Sequence, residues 1–210
     1  MEEFTRLSVE QFLNQLSARV PTPGGGSVAA LTGSLACAMA RMVAGYSVKK
    51  KTEESVRNRI EEVSDKLRRA DELLRALVTQ DAEVYETMMA ASRAARDDPS
   101  LESRHQQAIV RAIAVPMEVA ALASNTLDIL DEFLPLANPY LISDVGVAAV
   151  LAEAAVRASA FSIRVNTTVL ADEPTRSRIE AEIGEIIKRA ARTSSSIEAT
   201  VTDRLKTSTD

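Results

Sequence analysis

The stretch VRNRIEEVSDKLRRADELLRALVTQDAEVYETM, residues 56–88, determines the fold class of this chain. Its apolar residues recur at alternating steps of four and three, which is the spacing of one face of a packed α-helix. The face consists of Val56, Ile60, Val63, Leu67, Ala70, Leu74, Leu77, Asp81, Val84 and Met88. Asp81 is the exception, because an ionised carboxylate taken out of water costs several kcal/mol unless it is paired or hydrogen-bonded.

Asp81 has two interpretations at this point. A single polar residue in a helix seam can fix the register of the helix or pair with a buried arginine. A carboxylate in a cleft of low dielectric constant can also have a raised pKa and serve as a general acid/base. The rest of the sequence has to decide between them.

Composition predicts one soluble domain over residues 1–210. The chain is 46% hydrophobic and 26% charged, and only 3% of it is aromatic, so its core consists of Ala, Leu, Val and Ile. A net charge of -5 argues against binding to nucleic acid or to an anionic membrane, since both require a dominant basic face. The acidic start, Met1-Glu2-Glu3, is unlike a signal peptide, and we expect a cytoplasmic protein.

The metal-ligating residue types are scarce. The chain has one cysteine and one histidine, Cys37 and His105, so one chain cannot assemble the usual zinc site. Cys37 lies among apolar residues and is expected to be a small buried side chain. We expect no metal.

The hydrophobic pattern predicts an all-α, up-and-down bundle of five to six helices, one of them about 40 residues long. Asp71 and Arg75, four residues apart, are expected to pair on the exposed face of the long helix. Pro116 falls inside the fourth helix, where it removes one backbone hydrogen bond. The predicted ranges are about 8–18, 27–46, 52–95, 101–133, 143–171 and 174–204.

Two of these segments, residues 28–44 and 145–170, are apolar or small nearly all round. A helix of that kind must be covered on every side, and a bundle of this size can cover one of them. We therefore expect a homodimer.

Three polar segments are candidates for binding. The turn Pro21–Ser27 contains three glycines before a helix start, which suits either a ligand close to the backbone or a plain bend. The cations Lys49–Lys51 either complement the end of the second helix or bind an anion. Asn138-Pro139 and Ser143-Asp144 have, by themselves, the pattern of ordinary helix capping.

In their order along the chain, these segments resemble the cyclodeaminase/cyclohydrolase family of folate enzymes. The resemblance covers about residues 8 to 200. It is carried by Pro-Thr-Pro-Gly-Gly-Gly-Ser-Val-Ala-Ala at 21–30, the lysines at 49–51, Asp81 with Tyr85 and Met89, Asn138-Pro139, and Ser-Asp-Val-Gly-Val-Ala-Ala at 143–149. The chain departs from the family at Ser162, where relatives carry a first Asn before Asn166, and in the segment after Asp81 at 92–98.

The resemblance implies an all-helical dimer without a metal or a bound cofactor, with a tetrahydrofolate derivative as substrate. It also implies a role for each matching position. Asp81 is at the reactive centre and Lys50 is near the anionic part of the folate. The ligand-binding turn consists of Pro23, Gly24, Gly25, Gly26 and Ser27, and the residues around the pterin are Asn138, Ser143, Asp144 and Asn166.

Two reactions then fit a raised-pKa carboxylate. Water can add to the methenyl bridge of methenyltetrahydrofolate and give formyltetrahydrofolate, or formimidoyltetrahydrofolate can cyclise and release ammonia. These 210 residues contain no formimidoyltransferase domain to supply a formimidoyl substrate, so we expect the first reaction, a cyclohydrolase, with the cyclodeaminase as the alternative. A non-enzymatic helical dimerisation module is the second alternative, in which Asp81 only fixes the register.

Overall fold

The computed structural model describes residues 3–207, which form a bundle of six α-helices and contain no strand. The helices are α1 (Val9–Ser17), α2 (Gly25–Ser47), α3 (Glu54–Asp97), α4 (Glu102–Phe133), α5 (Ile142–Thr167) and α6 (Glu173–Thr207). Short 3-10 turns lie at Phe4–Arg6, Pro99–Leu101, Leu134–Leu136 and Pro139–Leu141. The all-α class and the long helix are confirmed, since α3 has 44 residues.

The helix ends follow local sequence signals. Ser8 and Gln11 form a capping box at the start of α1, in which each side chain accepts a hydrogen bond from the other residue's backbone N–H. Helix α2 begins at Gly25, two residues earlier than expected. Two of the three glycines therefore belong to its first turn rather than to the preceding loop.

Helix α2 is the central element, and it packs against both α3 and α5. A Cβ atom at Gly33 would lie 3.2 Å from the methyl groups of Leu74 on α3 and 3.6 Å from the Cβ of Ala155 on α5. The missing side chain at Gly33 therefore allows the three helices to approach closely. Cys37 lies in the same layer and is fully buried, as predicted, and burial raises the pKa of its thiol to about 11.

The prediction that Asp71 lies on the exposed face of α3 is wrong, because its side chain is 3% exposed. Asp71 accepts hydrogen bonds from Ser34 Oγ of α2 at 2.5 Å and from Arg75 Nε at 2.9 Å. Arg41 NH1 of α2 lies 3.6 Å from its other oxygen. The small residues of α2 bring that helix close enough to cover a position just beside the apolar seam.

The two helices that are apolar nearly all round bury one face and expose the other. On α2, Leu35, Met42 and Tyr46 are exposed. On α5, six residues at helical spacing form an outward face, hereafter the apolar stripe of α5. Val147, Val150, Phe161 and Val165 are its exposed members, and Ala154 and Ala158 between them are half-buried.

Two segments, Gly25–Ser47 and Pro99–Leu136, are long and apolar enough to cross a membrane by length and composition alone. Half of the most apolar window of the first and 61% of that of the second are buried inside the bundle. The core helices of soluble proteins show burial of this kind.

Candidate functional site

Asp81 projects from the middle of α3 onto the first turn of α2. Its Oδ2 atom accepts a hydrogen bond from the backbone N–H of Ser27 at 2.9 Å and from Ser27 Oγ at 3.2 Å. The first N–H groups of a helix have no partner within the helix and carry a partial positive charge. Asp81, which lies on α3, thus provides the hydrogen-bond acceptor for a backbone N–H in the first turn of α2. Its Oδ1 atom accepts no hydrogen bond from residues 3–207.

Gly26 makes this approach possible. A Cβ atom built at Gly26 would lie 2.0 Å from Asp81 Oδ1 and 2.5 Å from its Cγ, far inside any real contact. Any side chain at position 26 therefore forces the carboxylate to move. The missing side chain at Gly26, the third glycine, thus leaves the space that the Asp81 carboxylate occupies.

A cavity of about 260 Å³ opens beside the carboxylate. It lies between the turn before α2, the middle of α3 and the C-terminal part of α5. Its lining residues are Pro21, Thr22, Gly24, Gly25, Gly26, Asp81, Val84, Tyr85, Ala112, Ser162, Val165 and Asn166.

Burial raises the pKa of Asp81 above its ordinary value, because the ionised form is poorly solvated there. The two hydrogen bonds from Ser27 act in the opposite direction but do not cancel this effect. No ion pair joins Asp81 to a cation within the described part of the chain. The carboxyl can therefore exchange a proton with a ligand in the cavity at a higher pH than an ordinary aspartate.

Asn166 is held in place by a backbone carbonyl that Pro116 leaves free. Because proline has no N–H, the carbonyl of Ala112, four residues earlier in α4, lacks its helical donor. Asn166 Nδ2 donates to this carbonyl oxygen at 3.0 Å. The amide of Asn166 is thus fixed at the wall of the cavity, with its oxygen left to accept from a ligand.

The structure brings part of the predicted site together. Gly24, Gly25, Gly26, Asp81 and Asn166 line one cavity. Pro23 and Ser27 are buried behind it rather than lining it, and Ser27 contacts Asp81. This end of the bundle is hereafter the carboxylate end.

The other predicted residues lie at the opposite end of α2, hereafter the lysine end. Asn138 receives a hydrogen bond on its side-chain oxygen from Tyr140 N, and its Nδ2 donates to the carbonyl of Tyr46. Lys50 lies in the turn just after α2, and Ser143 and Asp144 lie in the first turn of α5. From Ser27 to Ser47 the helix rises about 30 Å, so one chain does not bring the two ends to one pterin ring.

Sequence reasoning missed several walls of the cavity. Tyr85 and Ser162 each stand four residues from a predicted site residue, Asp81 and Asn166, and this helical spacing was the available signal. Thr22 belongs to the predicted turn Pro21–Ser27. Val84, Ala112 and Val165 carry no chemical signal of their own. Their part in the cavity follows only from the packing of α3, α4 and α5.

Comparisons with known proteins find several similar sequences. The formiminotransferase-cyclodeaminase family matches residues 8–185. Methenyltetrahydrofolate cyclohydrolase from Methylorubrum extorquens is 28% identical over 79% of this chain and 81% of its own length. Formimidoyltransferase-cyclodeaminase from Rattus norvegicus is 28% identical over 91% of this chain, which spans only 37% of that relative.

A solved structure gives the same fold. The crystal structure of formiminotetrahydrofolate cyclodeaminase from Thermotoga maritima superposes with a TM-score of 0.89 at 28% sequence identity. The match covers 97% of this chain and 100% of that one. The overall fold is therefore shared with a solved relative.

Proposed function

Because the chain belongs to the formiminotransferase-cyclodeaminase family, we propose that it is a folate one-carbon enzyme. The reaction is hydrolysis of methenyltetrahydrofolate to formyltetrahydrofolate, with Asp81 as the general acid/base. The observation that carries this proposal is the half-buried Asp81, whose pKa is raised by burial, in the wall of a cavity. The similarity to a cyclohydrolase over 81% of that relative's length supports the choice of reaction.

The chemistry requires three proton transfers. Water attacks the methenyl carbon between two folate nitrogens, and Asp81 takes the first proton that the water loses. The bond from the resulting tetrahedral carbon to one nitrogen then breaks, and the same carboxyl returns the proton to that nitrogen. The proton left on the hydroxyl oxygen is released to solvent as the formyl C=O bond forms. General acid/base catalysis of this kind contributes about a hundred- to ten-thousand-fold.

The surroundings of Asp81 suit this role. Ser27 holds Oδ2, so the carboxylate keeps one orientation while Oδ1 remains available for the proton. Asn166, anchored on Ala112, presents an acceptor for a polar group of the pterin. A carboxyl held in one geometry needs little reorganisation during the reaction.

The second candidate reaction is the cyclodeaminase reaction, in which a folate nitrogen attacks the formimidoyl carbon and ammonia leaves. The observation in its favour is the likeness to the cyclodeaminase of Thermotoga maritima over the whole of that chain. Both reactions pass through a tetrahedral carbon and can use the same carboxyl, so the site geometry supports both.

A direct assay separates the two. Purified protein is given methenyltetrahydrofolate while the loss of its absorbance is followed, and formimidoyltetrahydrofolate while ammonia is followed. We expect the larger kcat/KM for methenyltetrahydrofolate. If ammonia release is faster by more than about tenfold, which corresponds to about 1.4 kcal/mol in the transition state, the cyclodeaminase replaces the cyclohydrolase. If neither substrate reacts, the proposed function is wrong.

The chain is further proposed to act as a homodimer. Exposed apolar side chains on α2 and α5 support this, among them Phe161 at 72% and Tyr46 at 65% exposure. Contiguous apolar surface of this kind marks interaction sites in soluble proteins. Sedimentation at micromolar concentration should show a dimer, and Phe161→Asp should shift it toward monomer.

A further inference from the structure

A second cavity lies between the C-terminal part of α3 and the N-terminal part of α4, hereafter the α3/α4 groove. Its volume is about 540 Å³, compared with about 260 Å³ beside Asp81. Small-molecule sites typically measure roughly 300–1,000 Å³, so this groove is large enough for a ligand of its own. Helix α3 contributes Thr87, Ala90, Ala91 and Ala94, which lie on one face of the helix over two successive turns.

Helix α4 provides the charge of the α3/α4 groove. Arg104, Gln107 and Arg111 line it and share one face of α4, at steps of three and four residues. Both arginines are exposed to solvent. None of the described residues that line the groove is acidic, although the chain as a whole has a net charge of -5. The groove therefore favours an anionic ligand.

The sequence of α4 leaves both arginines without their usual partner. An arginine on a helix surface pairs with acids three or four residues away. At those distances from Arg104 and Arg111 the chain has only Ser, Leu, Gln, Ala and Val. Glu102, the acid of α4 nearest to Arg104 in sequence, accepts a hydrogen bond from Gln106 Nε2 at 2.7 Å instead. Neither arginine forms a salt bridge to any of the residues 3–207.

The spacing of the two arginines indicates the length of the ligand. From Arg104 to Arg111 the helix rises about 10 Å. A guanidinium group binds a carboxylate through two parallel N–H···O hydrogen bonds. A chain with an acidic group at each end can therefore bind both arginines at once, whereas a single compact anion binds fully to only one of them.

The floor of the groove suits the middle of such a chain. It is lined by the methyl groups of Ala90, Ala91, Ala94 and Ala108, the last of which is buried. Carbon atoms of a ligand that pack on these methyl groups are removed from water, which is favourable. We propose that the α3/α4 groove is a second ligand site for an elongated organic dianion, of which the linear dicarboxylates are the simplest examples.

The groove and the cavity at Asp81 are neighbours. Tyr85 and Ala112 line the cavity, while Thr87 and Arg111, close to them along α3 and α4, line the groove. Within the described part of the chain the two sites share no lining residue. A dianion in the groove therefore lies beside a ligand at Asp81 without taking its place, and its binding does not depend on the reaction proposed above.

The test is calorimetric titration of the purified full chain with two linear dicarboxylates at neutral pH. Suberate is long enough to reach from one arginine to the other, whereas succinate is not. We expect suberate to bind at least about tenfold more tightly than succinate, because succinate lacks one of the two charge-assisted pairs. Equal affinities, or no saturable binding of suberate, would overturn the proposal.

Single substitutions locate the site. Arg104→Ala and Arg111→Ala each remove the cation at one end, so each should weaken the binding of suberate by about tenfold or more. The matched control is Arg93→Ala, which removes an exposed arginine of α3 outside the groove and should leave the affinity for suberate unchanged. Wild-type affinity in either groove variant, or an equal loss in Arg93→Ala, would contradict the assignment of the site.

A last titration shows whether the groove is separate from the cavity at Asp81. Tetrahydrofolate, which carries no one-carbon group and so cannot react, is added in excess before suberate. The affinity for suberate should stay the same. If tetrahydrofolate displaces suberate, the groove belongs to the folate site and the proposal of a second site is wrong. If tetrahydrofolate does not bind at all, the proposed function is contradicted, while the suberate titrations still decide about the groove.

Discussion

Helix α3 presents two aspartates to the same neighbouring helix, ten residues apart, and their surroundings differ in kind. Asp71 is 3% exposed, with Arg75, Arg41 and Ser34 around its two oxygens. Asp81 is less deeply buried, yet both of its hydrogen bonds come from Ser27 and are made by one oxygen. The charge of Asp71 is compensated, and that of Asp81 is not.

This difference separates a structural carboxylate from a reactive one. Once two carboxylate oxygens are surrounded by guanidinium and hydroxyl donors, the group joins α2 to α3 and has no role in proton exchange. A carboxyl with one free oxygen, a raised pKa and a cavity beside it can take and return a proton. Burial alone therefore does not identify the functional residue.

The largest effect on folding is expected at Asp71. Asp71→Ala leaves the buried hydroxyl of Ser34 without its acceptor and the partly exposed Arg41 and Arg75 without their carboxylate. An unsatisfied buried donor costs about 1–3 kcal/mol. Chemical denaturation should show this loss in the free energy of unfolding. The matched control is Asp65→Ala, whose exposed pair with Arg68 should be worth less than about 1 kcal/mol. Equal losses in the two variants would refute the structural role of Asp71.

Gly26→Ala should act on the other carboxylate. The added methyl group displaces Asp81, because its Cβ would lie 2.0 Å from Oδ1. A misplacement of about 1 Å in a catalytic group can cost a hundred-fold in rate, so we expect kcat to fall by about that factor.

Gly45→Ala is the control for the same change in the same helix. A Cβ atom at Gly45 would meet nothing within 4 Å. This variant should keep full activity and gain about 0.5–1 kcal/mol of stability. Normal activity in Gly26→Ala would show that the position of Asp81 is unimportant.

A smaller effect is expected from Ser27→Ala. The Ser27 hydroxyl donates to the ionised form of Asp81 and so lowers the pKa of that carboxyl. Without the hydroxyl the pKa rises further, and the acid limb of the kcat/KM profile, where Asp81 must be ionised to act as a base, should move to higher pH.

The pH profile of Ser34→Ala provides the comparison. Ser34 donates to Asp71 instead, so its loss should lower stability without moving the limb. If the acid limb of the kcat/KM profile moves in both Ser27→Ala and Ser34→Ala, or in neither, the assignment of that limb to Asp81 is contradicted.

Much of the fold follows from the sequence, since α3 has the hydrophobic period of a packed helix and the segments that form α2 and α5 are apolar nearly all round. Asp81 stands out for the same reason, as a polar residue in an apolar seam. Asp71 does not, because it lies one position beside the seam, where a helix normally meets water. Only the close approach of α2 buries it.

The site itself is less predictable. The hydrogen bond from Asn166 to the carbonyl of Ala112 depends on Pro116 and on the packing of α4 against α5. The sequence indicates the missing N–H of Pro116 but not the group that uses the carbonyl. Similarly, the pattern of motifs along the chain predicts Lys50 and Asn138 as site residues, whereas their distance from Asp81 is set by the length of α2.

The most direct test of the central claim is the turnover of Asp81→Asn. Asparagine keeps the size of the side chain and an oxygen that can accept from Ser27, but it cannot exchange a proton. Folding raises the pKa of Asp81, so ionising this carboxyl disfavours the folded state. The contribution of Asp81 to the stability of the folded protein is therefore largest at a pH below the ordinary pKa of an aspartate, and it is lost as the pH rises through the raised pKa of Asp81. The variant should therefore remain folded and keep its oligomeric state at neutral pH, while kcat for methenyltetrahydrofolate falls by about a hundred-fold or more. A folded variant with wild-type turnover would contradict the account.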